Sequence, residues 1–421
     1  MQALLYVAAA GQAAQNGGRG DYPQKSVKVS GITRVKRMED KDETLGGDGM
    51  VQVKEIHSKA ELKAFVRFAD KLYADNPHYV PTIVADEVAT LSRDKNPAFE
   101  FCDARFFVAE RDGKMVGRIM GIHNKAHDKK TGTVRLRFSR VDFVDDLEVS
   151  RALFAKVEEW AAQIRAEEVI GPMGFTDLDK EGMLVEGFDW DATFVTIYNA
   201  PYYQKHLELL GYVKDVDWTE FEIELPQTMD PRMENLSQMV LKRLDLHMFE
   251  AQSMKEYMPH IPAIFDVLNA AFEDLYGVVP LTPGVRDYYV KQFLSFVTPD
   301  FVPVVMDKNN RVVAVGITAP SIIRAVQKCK GRIFPFGIFG LLKEMKITDR
   351  IELYLVGVLP EYRGKGVNAL LMGYVMRTCI ARGIRYAETG PELETNYNVR
   401  AQWKNYKTIE HKRRRAYVKQ L

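Results

Sequence analysis

The hydrophobic positions of residues 51–228 change their period several times along the chain. Alternating apolar and polar residues are typical of strands with one buried face, whereas a spacing of three or four is typical of helices. Ser58 is a suitable N-cap for the first helical stretch, and Asp112-Gly113 between two alternating runs predicts a hairpin. The predicted elements are a short strand at 51–56, helices at 60–73 and 83–91, hairpin strands at 104–110 and 115–123, a strand at 135–143, a helix at 146–166 and a strand at 169–172.

The same order of elements recurs after Pro226. The predicted elements are helices at 233–244 and 261–271, hairpin strands at 302–306 and 312–319, a strand at 353–359, a helix ending at 381 and a strand at 385–389. A repeated order of elements indicates an internal duplication. We therefore predict an α/β (α+β) fold with two similar domains, at 51–228 and 229–421, each a mixed, mostly antiparallel sheet flanked by helices.

Residues 1–50 differ from the rest in composition. Residues 1–10 are mildly apolar, and residues 11–49 are rich in glycine, glutamine and charged residues with little periodicity. No basic segment precedes the apolar one, which argues against a signal peptide. We expect either a disordered extension or a start codon that is placed too early, with Met38 or Met50 as the true first residue.

Charge and cysteine content narrow the class of protein. The 421 residues include 58 basic and 57 acidic ones, a net charge of +1, which argues against a nucleic-acid partner. The three cysteines form no C-x-x-C motif, so neither a disulfide framework nor a metal site is expected, and a reducing, cytoplasmic location fits. No apolar run reaches the length of a membrane span.

Residues 351–372 carry the most informative pattern. An apolar run of strand length ends at Pro360, a basic turn with glycines follows, and a helical pattern begins. This order points backbone N–H groups and a helix N-terminus at one place, which favours a phosphate group. Glycines allow close approach and basic side chains add positive charge. The predicted binding residues are Val356, Gly357 and Val358 in the strand, Arg363, Gly364, Lys365 and Gly366 in the turn, and Val367 and Asn368 in the helix.

The spacing of this turn matches neither G-x-x-x-x-G-K-[ST] nor G-x-G-x-x-G. It resembles the R-x-x-G-x-G/A loop of the GNAT (GCN5-related N-acetyltransferase) acyltransferases. Arg363 and Gly366 match the motif, whereas Asn368 replaces its last small residue, and Val358-Leu359-Pro360 resembles the V-x-P that precedes it. The resemblance implies that acetyl-CoA or another acyl-CoA is the donor, held by its pyrophosphate, without a metal. An ordinary strand–turn–helix corner is the alternative.

The corresponding turn of the first domain, residues 144–148, has the opposite charge. It contains Asp145, Asp146 and Glu148 and has neither a glycine nor a basic residue. A pyrophosphate there would meet like charge. We therefore predict that CoA binds to the second domain only, and that the first domain is a degenerate copy that shapes the acceptor pocket.

Further motifs resemble a narrower group, the YghO-like tandem GNAT proteins of bacteria. These motifs are N-P-H-Y-V-P from Asn76, G-P-M from Gly171, E-G-F from Glu186, Y-N-A-P-Y-Y from Tyr198, and Leu393-Glu394. Some relatives of this group are linked to bacterial ceramide synthesis, in which an acyl-CoA acylates a long-chain amine. The resemblance therefore implies a CoA-dependent N-acyltransferase for a primary amine, with a sphingoid-like amine as the suggested acceptor.

Three other functions stay open at this point. They are a small-amine acetyltransferase, a Fem-type transferase that uses aminoacyl-tRNA, and a non-catalytic CoA-binding module. Fem-type proteins lack the R-x-x-G-x-G/A loop, so residues 363–368 argue against that function, as does the near-zero net charge.

Acyl transfer to an amine needs a base for the amine and a hydrogen-bond donor for the thioester oxygen. The resemblance implies a bulge in the central strand that directs a backbone N–H at this oxygen, and Gly357 suits a bulge. Glu352, at the start of the same strand, is one candidate base. Glu394 is another, in a second carboxylate group with Glu388 and Glu392.

The candidate acid is a tyrosine. The family often places a catalytic tyrosine after the second carboxylate group, where this sequence has Trp403. Tyr397 and Tyr406 lie near that position, and we take Tyr406 as the candidate.

Residues 333–342 read IFPFGIFGLL between basic flanks, with Arg332 before and Lys343 after. The segment is too short to span a bilayer, but it could rest on a membrane surface or cover a lipid tail. The protein would then lie on the inner face of the membrane. A buried connection is the alternative. The basic run at 411–415 is expected to be solvated, where it could meet the CoA 3′-phosphate or anionic lipid.

Overall fold

The computed structural model describes residues 49–293 and 297–421, so nearly all of the predicted N-terminal extension lies outside the described residues. The strands are β1 (Gln52–Glu55), β2 (Cys102–Arg111), β3 (Lys114–Asn124), β4 (Arg135–Phe143), β5 (Glu168–Gly171), β6 (Met183–Glu186), β7 (Val213–Glu224), β8 (Leu246–Phe249), β9 (Val304–Asp307), β10 (Val312–Pro320), β11 (Arg350–Val358), β12 (Tyr386–Thr389), β13 (Glu392–Leu393) and β14 (Lys407–Gln420). The helices are α1 (Lys59–Leu72), α2 (Val84–Thr90), α3 (Lys125–Thr131), α4 (Leu147–Gln163), α5 (Tyr203–Leu209), α6 (Pro231–Leu244), α7 (Met254–Tyr257), α8 (Ile261–Phe272), α9 (Pro283–Phe293), α10 (Ile323–Lys328), α11 (Ile338–Ile347), α12 (Val367–Arg382) and α13 (Tyr397–Arg400).

Local sequence signals set several of these boundaries. The Ser58 hydroxyl accepts from the N–H of Glu61, whose carboxylate accepts from the N–H of Ser58, so α1 begins with a capping box. Asp112 and Gly113 both have positive φ, 51° and 73°, as the tight turn between β2 and β3 requires. The predicted N-cap and hairpin are therefore confirmed.

Fourteen strands of the described chain form one sheet, in the order β1-β2-β3-β4-β5-β14-β7-β12-β11-β10-β9-β8, with β6 pairing with β14 and β13 with β7. The pairs β4–β5 and β11–β12 are parallel and the other pairs are antiparallel. The predicted mixed, mostly antiparallel character is confirmed. The two predicted sheets are, however, joined into one.

The joint is an exchange of strands between the halves. β14, from the second half, pairs with β5 of the first half as well as with β7, so Val418 lies between Ile170 and Val213. β7, from the first half, pairs with β12, with Glu222 opposite Glu388. Each half thus completes its sheet with a strand of the other. The division of the chain at 228/229 stays a sequence prediction.

The basic run at 411–415 lies within β14, and the expectation that it is solvated is wrong. Arg414 is fully buried and its guanidinium pairs with the equally buried Glu220 of β7. Lys412 is buried too, with its ammonium 3.1 Å from Glu220 and 2.8 Å from Glu388. These cations can lie inside because carboxylates from β7 and β12 face them.

β4 and β11 occupy equivalent places in the two halves. Each strand has nine residues. The first residues of β4 pair in parallel with β5, and those of β11 pair in parallel with β12. Near its middle, each strand has an irregular register, β4 against β3 and β11 against β10. A long helix follows each of them, α4 after β4 and α12 after β11. The fold therefore contains the repeat that the order of elements predicts.

The segment at 333–342 is partly buried and partly exposed. It starts with a π-helical turn at Ile333–Gly337 and continues into α11. Ile333 and Leu341 are buried, whereas Phe336 is 80% and Phe339 68% exposed. The segment thus anchors one side in the protein and presents aromatic side chains on the other. Within the described ranges, no helix is long and apolar enough to cross a membrane.

Candidate active site

The two parallel strands at the centre of the second half separate part-way along. β11 and β12 are paired from Arg350↔Tyr386 to Leu353↔Thr389, and β12 then ends. Beyond Leu353, the pairing of β11 in the described chain is with β10 alone. The remaining edge of β11 therefore presents backbone N–H and C=O groups to a cleft.

A bulge lies at the point of separation. Ile317 of β10 is opposite Leu355, but its neighbour Thr318 is opposite Leu353, so Tyr354 is the extra residue. The predicted bulge at Gly357 is wrong, because Val356, Gly357 and Val358 keep a regular register with β10. Gly357 instead allows α8 to approach, since a Cβ there would be 3.1 Å from Leu268.

The predicted phosphate loop adopts the expected strand–turn–helix geometry. After Val358 a 3-10 turn covers Pro360–Tyr362, and α12 begins at Val367. Gly364 and Gly366 have φ of 70° and 86°, which suit glycine. A Cβ on Gly366 would lie 3.0 Å from Val240 of α6. No side chain caps the start of α12, and the Ala369 N–H donates to the Gly366 carbonyl at 3.0 Å, so the N–H groups of Val367 and Asn368 are the ones without an acceptor in the helix.

Arg363 does not extend into solvent. Its guanidinium donates to the carbonyls of Ala270 and Ala271, at 3.2 and 3.3 Å, at the end of α8. It thereby holds the loop against α8. Lys365 is exposed and supplies the mobile positive charge of the turn. The Asn368 amide donates to Gln402 at 2.6 Å and links α12 to the segment before β14.

Glu352 lies next to the bulge and is only 2% exposed. Its two carboxylate oxygens accept from the Ser321 hydroxyl at 2.7 Å and the Tyr354 hydroxyl at 3.1 Å. Burial, together with the nearby charge of Glu388, raises its pKa to about 7, although the two hydrogen bonds oppose the shift. A carboxylate with this pKa can exchange a proton with an amine near neutral pH.

Glu388 is the parallel-strand neighbour of Glu352 and has the opposite character. Burial would raise its pKa, but the charges of Lys412 and His411 lower it to about 2. His411 lies 2.6 Å from the Glu388 carboxylate, and the edge of Trp190 packs against its ring. Glu388 thus stays ionised beside Glu352.

The other predicted carboxylates lie elsewhere. The Glu394 N–H donates to the Asp217 carbonyl of β7 at 2.9 Å, whereas Glu388 is opposite Glu222 of the same strand. Five residues of a strand span about 17 Å, which separates the two glutamates along β7. Its carboxylate is held by Lys214 at 2.5 Å and Arg413 at 3.4 Å. The structure therefore does not bring Glu394 to Glu352.

Glu392 and Tyr406 lie in apolar surroundings. Glu392 is buried, accepts from the Trp403 indole at 2.9 Å, and has a pKa that burial raises to about 8. Tyr406 packs with Leu353 and the α12 side of the sheet, whereas Glu352 alternates to the other side. The predicted acid and the predicted base are therefore on opposite faces.

Sequence reasoning missed the residues that support Glu352 and Glu388. Ser321 lies at the end of β10, and His411 and Lys412 lie in β14. No local motif marks them, because their role comes from strand pairing over long sequence distances. The alternation of charged residues in β14 is a weak signal of a strand.

A cavity of about 100 Å³ adjoins the bulge. Its lining is apolar and comes from helices α7, α8 and α9, from β10, from the bulge of β11 and from one loop of the first half. The lining includes Leu178, Ile264, Val290, Ile317, Tyr354 and Leu355.

The equivalent place in the first half has different chemistry. β4 also bulges, at Arg140 with φ of 43°, where it separates from β5. Arg140 is paired with Glu87 at 2.8 Å, and Arg118 with Asp142 at 2.7 Å, so ion pairs line this cleft. Asp146 caps α4 by accepting from the N–H of Glu148, where the second half has Gly366.

Comparison with known families agrees with this geometry. Residues 263–403 match the sequence model of the acetyltransferase (GNAT) family. The second half of the chain therefore contains a GNAT domain. GNAT enzymes transfer an acyl group from acetyl-CoA or acyl-CoA to an amine, so the chain is an N-acyltransferase.

Similarity to individual proteins extends over both halves. The chain is 29% identical to Protein YghO of Escherichia coli (strain K12) over 378 residues, covering 88% of this chain and 95% of the relative. It is 24% identical to a bacterial ceramide synthase of Caulobacter vibrioides (strain NA1000 / CB15N), covering 87% and 96%. A probable N-acyltransferase structure from Enterococcus faecalis V583 shares the fold, with a TM-score of 0.51, 10% identity, and coverage of 88% and 73%.

We expect Arg363→Ala and Gly366→Val each to weaken CoA binding at least tenfold, about 1.4 kcal/mol. The first change removes the contact of the loop with α8, and the second places a branched side chain at a φ of 86° against Val240. Calorimetric titration with CoA measures the effect. Asp145→Ala, in the matching turn of the first half, is the control and should bind like wild type. Unchanged affinity in both loop variants would contradict the assignment.

We expect Glu352→Gln to lower kcat by a factor on the order of 10²–10⁴, because the amide cannot accept the amine proton. In the wild type, kcat should rise as pH increases through about 7, where Glu352 loses its proton, and the variant should lack this rise. Glu394→Gln is the matched control and should keep both the rate and the pH profile. Full activity of Glu352→Gln across this pH range would remove Glu352 from the reaction.

Proposed function

We propose that the protein transfers a long acyl chain from acyl-CoA to a primary amine of the long-chain, sphingoid-like class. The observation that carries this proposal is the apolar cavity at the bulge, which begins at Tyr354 and Leu355. An acetyl group would leave this space unfilled. An alkyl chain would fill it and gain about 0.8 kcal/mol for each methylene removed from water.

The second half fits an acyl-CoA donor. The free N–H groups at the start of α12, together with exposed Lys365, suit the pyrophosphate. The unpaired edge of β11 between Tyr354 and Val358 offers backbone groups to the amide-containing arm of CoA. The thioester would then lie at the bulge, where the irregular backbone at Tyr354 leaves an N–H available for its carbonyl oxygen.

The reaction needs one proton acceptor and one leaving group. The amine nitrogen attacks the thioester carbon, a C–N bond forms, the C–S bond breaks, and CoA leaves as the thiolate. Glu352 takes the proton from the amine, and the Tyr354 hydroxyl, which donates to Glu352, links the carboxylate to the cavity wall. Glu388 is paired with Lys412 and His411 and keeps its charge, so Glu352 is the carboxylate of the two that can take up the proton.

Two further facts support this substrate class. The similarity to a bacterial ceramide synthase covers 87% of the chain and includes both halves. Exposed Phe336 and Phe339 suit contact with a membrane, from which long-chain substrates would be taken. Neither feature is expected of an enzyme that acetylates a small, soluble amine.

We expect Val290→Trp, which fills the cavity, to lower kcat/KM for a long-chain acyl-CoA at least tenfold relative to acetyl-CoA. Displacing two methylenes from the cavity costs about 1.6 kcal/mol, enough for this change. Steady-state kinetics with acyl-CoA of increasing length measures the preference. Val213→Trp, at a side chain that is 61% exposed, is the control. A long-chain preference that survives Val290→Trp would show that the chain lies elsewhere.

We expect the double variant Phe336→Asp/Phe339→Asp to lose co-sedimentation with phospholipid vesicles. Burying each phenylalanine in lipid stabilises the membrane-bound state by roughly 1.5–3 kcal/mol. An aspartate side chain does not provide this stabilisation. Because both side chains are exposed, the variant should keep its fold and its CoA affinity. Leu236→Asp/Met239→Asp, on the exposed face of α6, is the matched control and should sediment like wild type. Membrane contact would be contradicted if the variant unfolded, or if the wild type did not co-sediment with vesicles.

A further inference from the structure

A large groove runs between α1 of the first half and the segment that leads into α11 of the second half. Its volume is about 1100 Å³, an order of magnitude above that of the cavity at the bulge. Ile333 and Ile338 line one side of the groove, and they belong to the segment that carries exposed Phe336 and Phe339. The groove and the phenylalanines therefore lie on neighbouring parts of the surface.

The groove is strongly basic. Six exposed cations line it: Lys63, Arg67, Lys71, Lys291, Lys330 and Arg332. The first three are four residues apart on α1 and form a stripe on one face of the helix. Two carboxylates, Asp70 and Asp86, oppose these six charges.

In the described part of the chain, these cations have no counter-ion. Among residues 49–293 and 297–421, none of the six forms an ion pair or a side-chain hydrogen bond, whereas cations elsewhere, such as Arg140 and Lys412, are paired with carboxylates. Asp70 is already engaged, since it accepts from the Tyr79 hydroxyl at 2.8 Å and the Thr82 N–H at 3.1 Å. The groove thus has a surplus of positive charge facing solvent.

A third cavity shares lining residues with the groove and with the apolar cavity of the active site. A smaller cavity of about 60 Å³ shares Ile83, Asp86 and Gln292 with the groove. The same cavity shares Leu178 and Tyr289 with the apolar cavity that reaches Tyr354. Leu178 and Tyr289 are both buried and form the wall that the small cavity and the apolar cavity have in common.

We propose that this groove binds the head groups of anionic phospholipids and seats the protein on an anionic membrane surface, with Phe336 and Phe339 inserted beside it. The proposal rests on the proposed function, since a long-chain substrate would reach the protein from a membrane. Lipid phosphate groups can accept charge-assisted hydrogen bonds from lysine and arginine side chains that have no carboxylate partner. A soluble anion would account for the charge but not for the adjacent exposed phenylalanines.

The test compares vesicles of phosphatidylcholine alone with vesicles that also contain phosphatidylglycerol. Wild type should partition more strongly to the anionic vesicles, and added salt should reduce this preference. The triple variant Lys63→Gln/Arg67→Gln/Lys71→Gln should lose at least tenfold of the partitioning to anionic vesicles and keep its partitioning to neutral ones. Glutamine preserves the helix propensity of α1, which circular dichroism checks.

The matched control is Lys95→Gln/Lys129→Gln/Lys205→Gln, which removes three exposed charges outside the groove. It should behave like wild type. An equal loss in the control would show that net charge alone drives binding, and an unchanged groove variant would show that the groove does not bind lipid; either result overturns the proposal. If the groove variant loses anionic binding while wild type transfers only acetyl groups, the proposed function fails and the lipid site stands.

Discussion

Burial of a charge cluster at the seam between the two halves is the constraint on which the rest of the structure depends. Glu220 and Arg414 are both fully buried, and Lys412 bridges Glu220 and Glu388. Leaving one member of a buried pair without its partner typically costs about 3–5 kcal/mol. The partners come from β7, β12 and β14, so all are matched only when the exchanged strands are in register. The cluster therefore fixes that register and, with it, the position of Glu388.

The same cluster gives two adjacent carboxyl groups, those of Glu352 and Glu388, different pKa values. Lys412 and His411 keep Glu388 ionised, with a pKa of about 2, whereas burial gives Glu352 a pKa of about 7. Two neighbouring carboxyl groups with such different pKa values can take different roles, one as a fixed charge and one as a proton acceptor. The first half contributes to this arrangement through Glu220, which pairs with Lys412, although its own cleft is lined by ion pairs.

The sequence was informative where structure is set locally. The capping box at Ser58, the hairpin turn at Asp112-Gly113 and the strand–turn–helix at the phosphate loop are short-range features and are as predicted. Features set by strand pairing could not be predicted. The bulge follows the register between β10 and β11 and lies at Tyr354 rather than at the nearby glycine. The charged β14 has the composition of a surface strand, and the counter-charge of its Arg414 is Glu220, which lies 194 positions earlier in the chain.

The strand exchange has a consequence for biosynthesis. Until β14 has left the ribosome, the first half has an open edge at β5, and β7 has no neighbour on either side, because β12 and β14 are both made later. Open strand edges invite pairing with other chains. Nascent chains are therefore vulnerable to aggregation through most of translation.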